Sequence, residues 1–233
     1  RAAILAAAAC GLGGSVAFKR FRVRQEKRLL SDELERVREG ARFDLGGVRQ
    51  LLATDVTFRR YMFAMSVFGA GHLMLTPLLV VCLDDVLQAS ELVQVAITAA
   101  VPILVMPLAI QPWARFLDRH HVITFRAVHS RLAVAGSSVL AIAVLARLDW
   151  LLWPGALLMG ASLAAGSLGW SLGHNDFAPR GEETRYMALH VTLTGLRGLV
   201  APPAAILVYY ALQRARPGTE PWAMLLPVAL IGW

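Results

Sequence analysis

Long apolar runs separated by charged stretches set the pattern of this chain. Five of them, at about 61–83, 92–112, 128–146, 151–173 and 188–212, contain no aspartate or glutamate. Each meets or approaches the roughly 20 residues a helix needs to cross the apolar core of a bilayer. A sixth run opens near Pro221 and reaches Trp233, the last residue. Backbone groups in hydrocarbon must bond within their own segment, so runs of this length predict helices. The alternation a membrane-spanning strand requires is missing. The expected fold class is therefore all-α, a polytopic membrane helix bundle, with the transmembrane region over 61–233 and its last span truncated.

Ahead of the bundle the pattern changes. Residues 1–18 are apolar and small, and are expected to be the end of a preceding transmembrane helix rather than a signal peptide. With the chain opening at Arg1 and stopping inside an apolar run, it is expected to be a piece of a longer protein. Residues 19–60 form a basic inter-helix segment. In it Glu26 to Phe43 predicts an amphipathic helix, with Leu29, Leu30, Leu34 and Val37 on one stripe and Asp32 and Arg36 four apart on the wet side. A second amphipathic piece follows at Val48 to Leu52. The segment reads as a connector lying on an anionic membrane surface.

Charge fixes the expected orientation. Twelve lysines and arginines lie between Phe18 and Arg60, and the alternate loops add Arg115, Arg119, Arg126, Arg180 and Arg185. The loops on the other side hold Arg147, Arg214 and Arg216, so seventeen basic residues face three. Basic loops stay in the cytoplasm, so the long connector is expected there, in a bacterial plasma (inner) membrane. The net charge of +7 does not predict a nucleic-acid partner, because the charge is confined to loops. Hydrophobic residues make up 57% of the chain and charged ones 17%, against about 25% charged in soluble domains.

The two cysteines, Cys10 and Cys82, lie inside apolar runs and read as buried thiols. No ligand spacing predicts a metal, no cofactor is implied, and no phosphate-binding glycine loop suggests an ATP-driven pump.

Inside the spans, polar residues mark candidate chemistry. Arg197 lies about ten residues into the 188–212 run, where an unpaired arginine costs about 2.5–3.5 kcal/mol on insertion scales. His190, Thr194 and Arg197 share one helix face. Gly195 and Gly198 flank the arginine and leave room for another helix, and Pro202-Pro203 is expected to break the helix locally. Arg197 either binds an anionic or polar group of a solute or anchors an interhelical network. Met65, Gly69, His72 and Thr76 share a face of the first span, where His72 either carries a proton or hydrogen-bonds a threonine. Ala161, Ala165, Gly169 and Gly173 form a small-residue stripe on the fourth span. Pro102, Pro107 and Pro112 predict a bent second span.

The loop Trp113-Ala-Arg-Phe-Leu-Asp118-Arg119-His-His-Val-Ile-Thr-Phe-Arg126 resembles the cytoplasmic loop signature of the major facilitator superfamily, Gly-x-x-x-Asp-Arg-x-Gly-Arg-Arg, in its weaker second copy. Asp118 and Arg119 match. Ala114 and His121 stand where glycines would, and Val122-Ile123 replaces the arginine pair, with Arg126 able to supply the lost charge. Phe177 to Met187 is similar to the family's loop between helices ten and eleven. The resemblance covers nearly the whole chain by topology and implies the second six-helix half, from the tail of helix six to the start of twelve, with the first half missing.

It further implies that the first and fourth spans line a central cavity. That would bring His72, Thr76 and Trp170 near a solute, Trp170 otherwise facing lipid or the interface. It also implies a cytoplasmic gate of Asp118, Arg119, Arg126 and Asp176; Asp118 could cap a helix start or pair with a cation on a neighbouring helix, the alternative for Asp118 and Arg119 being wet loop residues, and His174 and Asp176 read as gate or cap residues.

The expected function is secondary transport of a small-molecule solute by alternating access, with the lipid bilayer as the other partner and no enzymatic activity. Two further classes stay open: an intramembrane transferase using His72 or His190 as base, and a non-transporting receptor or assembly factor on a transporter scaffold. Neither histidine has a carboxylate on its own helix face, which counts against the enzyme.

Overall fold

Each apolar run folds as a helix that overshoots it, because backbone hydrogen bonding continues into the charged flanks once the segment is committed to a helix. The computed structural model describes residues 45–233, with side chains from Gln50 onward. Two compact units divide at Gln50 and Leu51, and the architecture described below is that of the second. A short helix α1 (Leu45–Thr54) covers the second amphipathic piece. The expected helix over Glu26 to Phe43 and the apolar stretch 1–18 lie outside the described residues.

Five helices are long and apolar enough to cross a membrane: α2 (Val56–Asp85), α3 (Glu91–Leu117), α4 (Val122–Ala146), α5 (Asp149–Leu172) and α6 (Glu183–Ala215). A shorter apolar helix, α7 (Glu220–Gly232), follows. Among the described residues there are no strands. Every expected span is present. The boundaries move outward by one to six residues, except that α4 ends at Ala146 as expected and α5 and α7 each stop one residue short.

The prolines act differently from one another. Before Pro102, residues 96–100 of α3 widen into a π-helical turn, and the Val101 amide bonds the Ala96 carbonyl five residues back. This irregularity absorbs the missing proline N–H. The expected break at Pro202-Pro203 is not seen. Helix α6 continues through both rings to Ala215, so the pair removes two donors without ending the helix.

Helices α2, α4 and α6 start at the end of the bundle rich in Arg59, Arg60, Arg119, Arg180 and Arg185, here termed the basic end, and α3, α5 and α7 return to it. Helix α3 packs on α5, α5 on α4, α4 on α7, α7 on α2, and α2 on α6. These principal pairs are unchanged when α2–α4 are exchanged for α5–α7 in order: α2·α6 becomes α5·α3, α2·α7 becomes α5·α4, and α4·α7 maps onto itself. The lesser contacts, among them α2 with α4 and α6 with the start of α7, do not follow this exchange equally. Three traversals per set make the two sets opposite in direction.

The apolar core fills the end away from the basic loops. Leu78, Cys82 and Leu83 of α2 pack there with Val144, Leu152, Ala156, Ala205, Tyr209 and Met224. The Tyr209 hydroxyl donates to Asp85 at 3.1 Å and ties α6 to the end of α2. Helices α3 and α6 are the least covered, with 11% of their most apolar stretch buried against 39–44% for α2, α4 and α5.

Candidate functional site

Below that core, toward the basic end, α2, α4, α5 and α6 line an open-sided cavity of about 310 Å³. Its polar walls come from residues that the helical repeat places on inward faces. His72 comes from α2, Arg126 and His129 from α4, Ser167 and Trp170 from α5, and His190, Thr194 and Arg197 from α6. No aspartate or glutamate lines it.

Arg197 crosses the cavity wall from α6 to α2. Its Nη1 donates to the Met65 carbonyl at 2.6 Å and its Nη2 to Thr194 Oγ1 at 3.1 Å. Gly69 makes this crossing sterically allowed, since a Cβ there would overlap the guanidinium. Thr194 is a junction: its hydroxyl donates to the His190 carbonyl at 2.8 Å while accepting from Arg197 and, at 3.4 Å, from Trp170 Nε1. The Trp170 and His190 rings meet edge-on, with centroids 5.8 Å apart. One helix turn thus positions an indole, an imidazole and a guanidinium together.

A second guanidinium faces the same cavity. Arg126, only 8% exposed, donates through Nη1 to His129 Nδ1 at 3.2 Å. A guanidinium has no acceptor, so His129 accepts at Nδ1 and is neutral, with its proton on Nε2. That nitrogen donates to Ser162 Oγ at 3.1 Å. Here too a glycine makes room, because a Cβ at Gly169 would press on the Arg126 guanidinium. Buried and without a protein partner are Arg126 Nε, Arg197 Nε and the Nδ1 atoms of His72 and His190. Such atoms are uncommon in folded chains and mark positions where a ligand or water would bond.

The expected site residues divide accordingly. Arg197, His72, His190, Thr194 and Trp170 come together around the cavity. Thr76 does not. It is exposed, one turn beyond the cavity, and His72 Nδ1 has no hydroxyl partner. Arg126 is not with Asp118 and Arg119 at a loop gate: α4 starts at Val122, so Arg126 lies one turn inside a helix and points into the bundle. Asp118 and Arg119 are exposed. Asp176 accepts from the Val122 backbone amide at 2.6 Å and caps α4, with His121 3.9 Å away. Gly195 and Gly198 face open space among the described residues, with no helix against them. In the small-residue stripe, Gly169 seats Arg126, and outside it Gly160 lies against Pro102 and Val105 of α3, where a Cβ would collide.

His129 and Ser162 were not among the expected site residues. The one signal available was His129 at the edge of an apolar run, one helix turn after Arg126. Aromatic rings pack together where the starts of α2 and α6 meet the loop after α5: Phe58 lies 4.5 Å from Tyr186, and Tyr61 4.7 Å from Phe177, centroid to centroid. Asp55 caps α2 through the Phe58 amide and accepts from the Tyr186 hydroxyl. In the adjoining loop His174 is buried, and this holds its imidazole below the ordinary pKa of 6.5 against a weaker opposing pull from Glu183. Among the described residues no cluster of histidine, cysteine or carboxylate side chains could hold a metal.

Comparison with known protein families, with curated proteins and with solved structures gives no match. The fold and cavity define an all-helical chain with five helices fit to cross a membrane, and the residues themselves carry any closer reading.

Proposed function

We propose that this chain is the second half of a major facilitator-type secondary transporter, which moves a small solute across a bacterial plasma membrane by alternating access with its basic end in the cytoplasm. The observation that carries this reading is the cavity between four membrane-length helices, largely apolar but lined by two arginines and three histidines. Polar side chains at that depth are costly unless they serve a solute or a partner. Three features support it. Exchange of α2–α4 with α5–α7 preserves the principal packing, as expected of the inverted repeats on which many transporters are built. The poorly covered α3 and α6 offer a face for the other half. The basic loops all fall on one side.

The test is two-sided access to the cavity. In the full-length protein with Cys10 and Cys82 replaced, Ser167→Cys should react with a membrane-impermeant thiol reagent in right-side-out vesicles and also in inverted ones. Leu163→Cys should do the same. Reaction from one side only, in both variants, overturns alternating access and favours a one-sided binding or catalytic site.

A further inference from the structure

The cavity has an excess of positive charge that nothing in the chain answers. Arg126 and Arg197 both face it, no carboxylate lines it, and neither arginine is in an ion pair among the described residues. Each guanidinium is held from behind by neutral groups. Arg126 bonds the imidazole of His129, itself fixed by Ser162, and Arg197 bonds the Met65 carbonyl and Thr194. Each rests on a glycine, Gly169 or Gly69, on the helix opposite its own. Both keep a buried Nε–H without a protein acceptor, and Arg126 as a whole is more than nine-tenths buried. Two like charges facing one low-dielectric cavity repel, and an anion bound between them would relieve this.

We propose that Arg126 and Arg197 together hold an oxyanion, the carboxylate or phosphate group of a soluble solute, with Arg126 as an anchor of equal rank to Arg197. The inference rests on reading this cavity as the carrier's solute site. Guanidinium groups match carboxylate and phosphate oxygens in planar, paired hydrogen bonds. A volume of about 310 Å³ suits a small organic anion. A neighbouring cavity of about 460 Å³ shares Met65, Phe68 and Arg126 and includes Arg60. An anion moving inward from the basic end therefore meets Arg60, Arg126 and Arg197 in succession, an arrangement that concentrates negative solutes.

The probes are inorganic phosphate and succinate, with choline chloride at matched ionic strength as control. They are titrated calorimetrically into the full-length protein in phosphatidylcholine nanodiscs. Saturable binding of phosphate or succinate is expected, and none of choline. Arg126→Gln and Arg197→Gln should each weaken it about tenfold or more, since hydrogen bonds to charged groups contribute roughly 1.5–3 kcal/mol. Arg126→Lys should restore part of the loss and shows that the fold tolerates the site. Gly169→Ala should weaken binding by displacing the guanidinium.

Absence of binding by both anions, equal binding of choline, or unchanged affinity in Arg126→Gln overturns the proposal. Loss of binding once phosphatidylglycerol is added to the nanodiscs assigns the site to a lipid headgroup and overturns the soluble solute. The carrier reading fails separately. Anion binding with one-sided thiol access leaves the anion site standing without transport, and two-sided access with no anion binding leaves a carrier of another solute class.

Discussion

At the scale of single residues, two glycines on α2 separate the cost of filling space from the cost of moving a charge. Gly69 and Gly71 are two positions apart, and a Cβ at either would collide with a neighbour. At Gly69 the neighbour is the guanidinium of Arg197, the free end of a flexible side chain; at Gly71 it is the Pro227 carbonyl and the Leu230 Cβ of α7. A side-chain tip can swing aside, whereas a backbone carbonyl moves only with its helix. Gly69→Ala should therefore change thermal stability little. The alanine gains up to about 1 kcal/mol of helix propensity while Arg197 loses its bond to Met65, so the effect falls on solute affinity. Gly71→Ala should lower stability by about 1–3 kcal/mol, the usual range for overpacking, by pushing α7 from α2. Melting of the two variants in detergent, beside anion titration, separates them, and equal losses of stability would contradict the assignment of Gly69 to the arginine. Arg197 was legible in the sequence because it interrupts an apolar run at mid-span. Arg126 was not, because hydropathy cuts the span at Val128 and leaves it in the loop. The helix begins six residues earlier, and nothing in the composition says that a helix start will turn a charge inward.

At the scale of elements, the basic end is held by carboxylates that each serve two segments. Asp55 accepts from the Phe58 amide at 2.8 Å and from the Tyr186 hydroxyl at 2.9 Å, joining the starts of α2 and α6. Asp176 reaches from the loop after α5 to the first amide of α4 at 2.6 Å, where a negative charge also suits the helix dipole. Replacing a capping side chain by alanine typically costs about 0.5–2 kcal/mol. Asp176→Ala should lose about that much stability, and Asp176→Asn should keep most of it, since the amide oxygen still accepts. Asp118→Ala is the comparison. Its side chain is exposed and bonds nothing among the described residues, so a change within about 0.5 kcal/mol is expected. Chemical denaturation of the three variants checks the order, and an Asp118→Ala loss matching Asp176→Ala would refute it. The helices themselves were legible because apolar length alone dictates them. A cap role for Asp176 was legible but its helix was not, because Asp176 and Val122 are 54 residues apart and meet only through the packing of α4 on α5. Proline was misleading in one place and informative in another: Pro102 coincides with a π-helical turn, while Pro202-Pro203 leaves α6 intact.

At the scale of the whole molecule, the distribution of charge and the path of the chain make one joint demand. The hydroxyl of Tyr186 meets Asp55 near the starts of α6 and α2, and that of Tyr209 meets Asp85 near their far ends, so these two helices run side by side in the same direction. Leu140 of α4 packs at Gly155 of α5, and Gly71 of α2 at Leu230 of α7, as antiparallel neighbours require. The loops at 118–121 and 173–182 therefore share one end of the bundle, and those at 86–90, 147–148 and 216–219 the other. Arg59, Arg60, Arg115, Arg119, Arg180 and Arg185 stand toward the first end against Arg147, Arg214 and Arg216 toward the second, and the sequence leading into α2 carries ten further lysines and arginines, a bias strong enough to set orientation on its own. Single cysteines at Arg119 and Asp84, in the full-length protein with Cys10 and Cys82 replaced, should thus be labelled from opposite faces of intact cells. Asp84→Cys should react with an impermeant reagent added outside, and Arg119→Cys only after the membrane is opened. Labelling of both from one face is incompatible with an odd number of crossings between them, and would mean that α3 does not traverse the bilayer. The same result would remove the reason for Arg126 and Arg197 to be costly, because a cavity in water needs no solute to justify its charge.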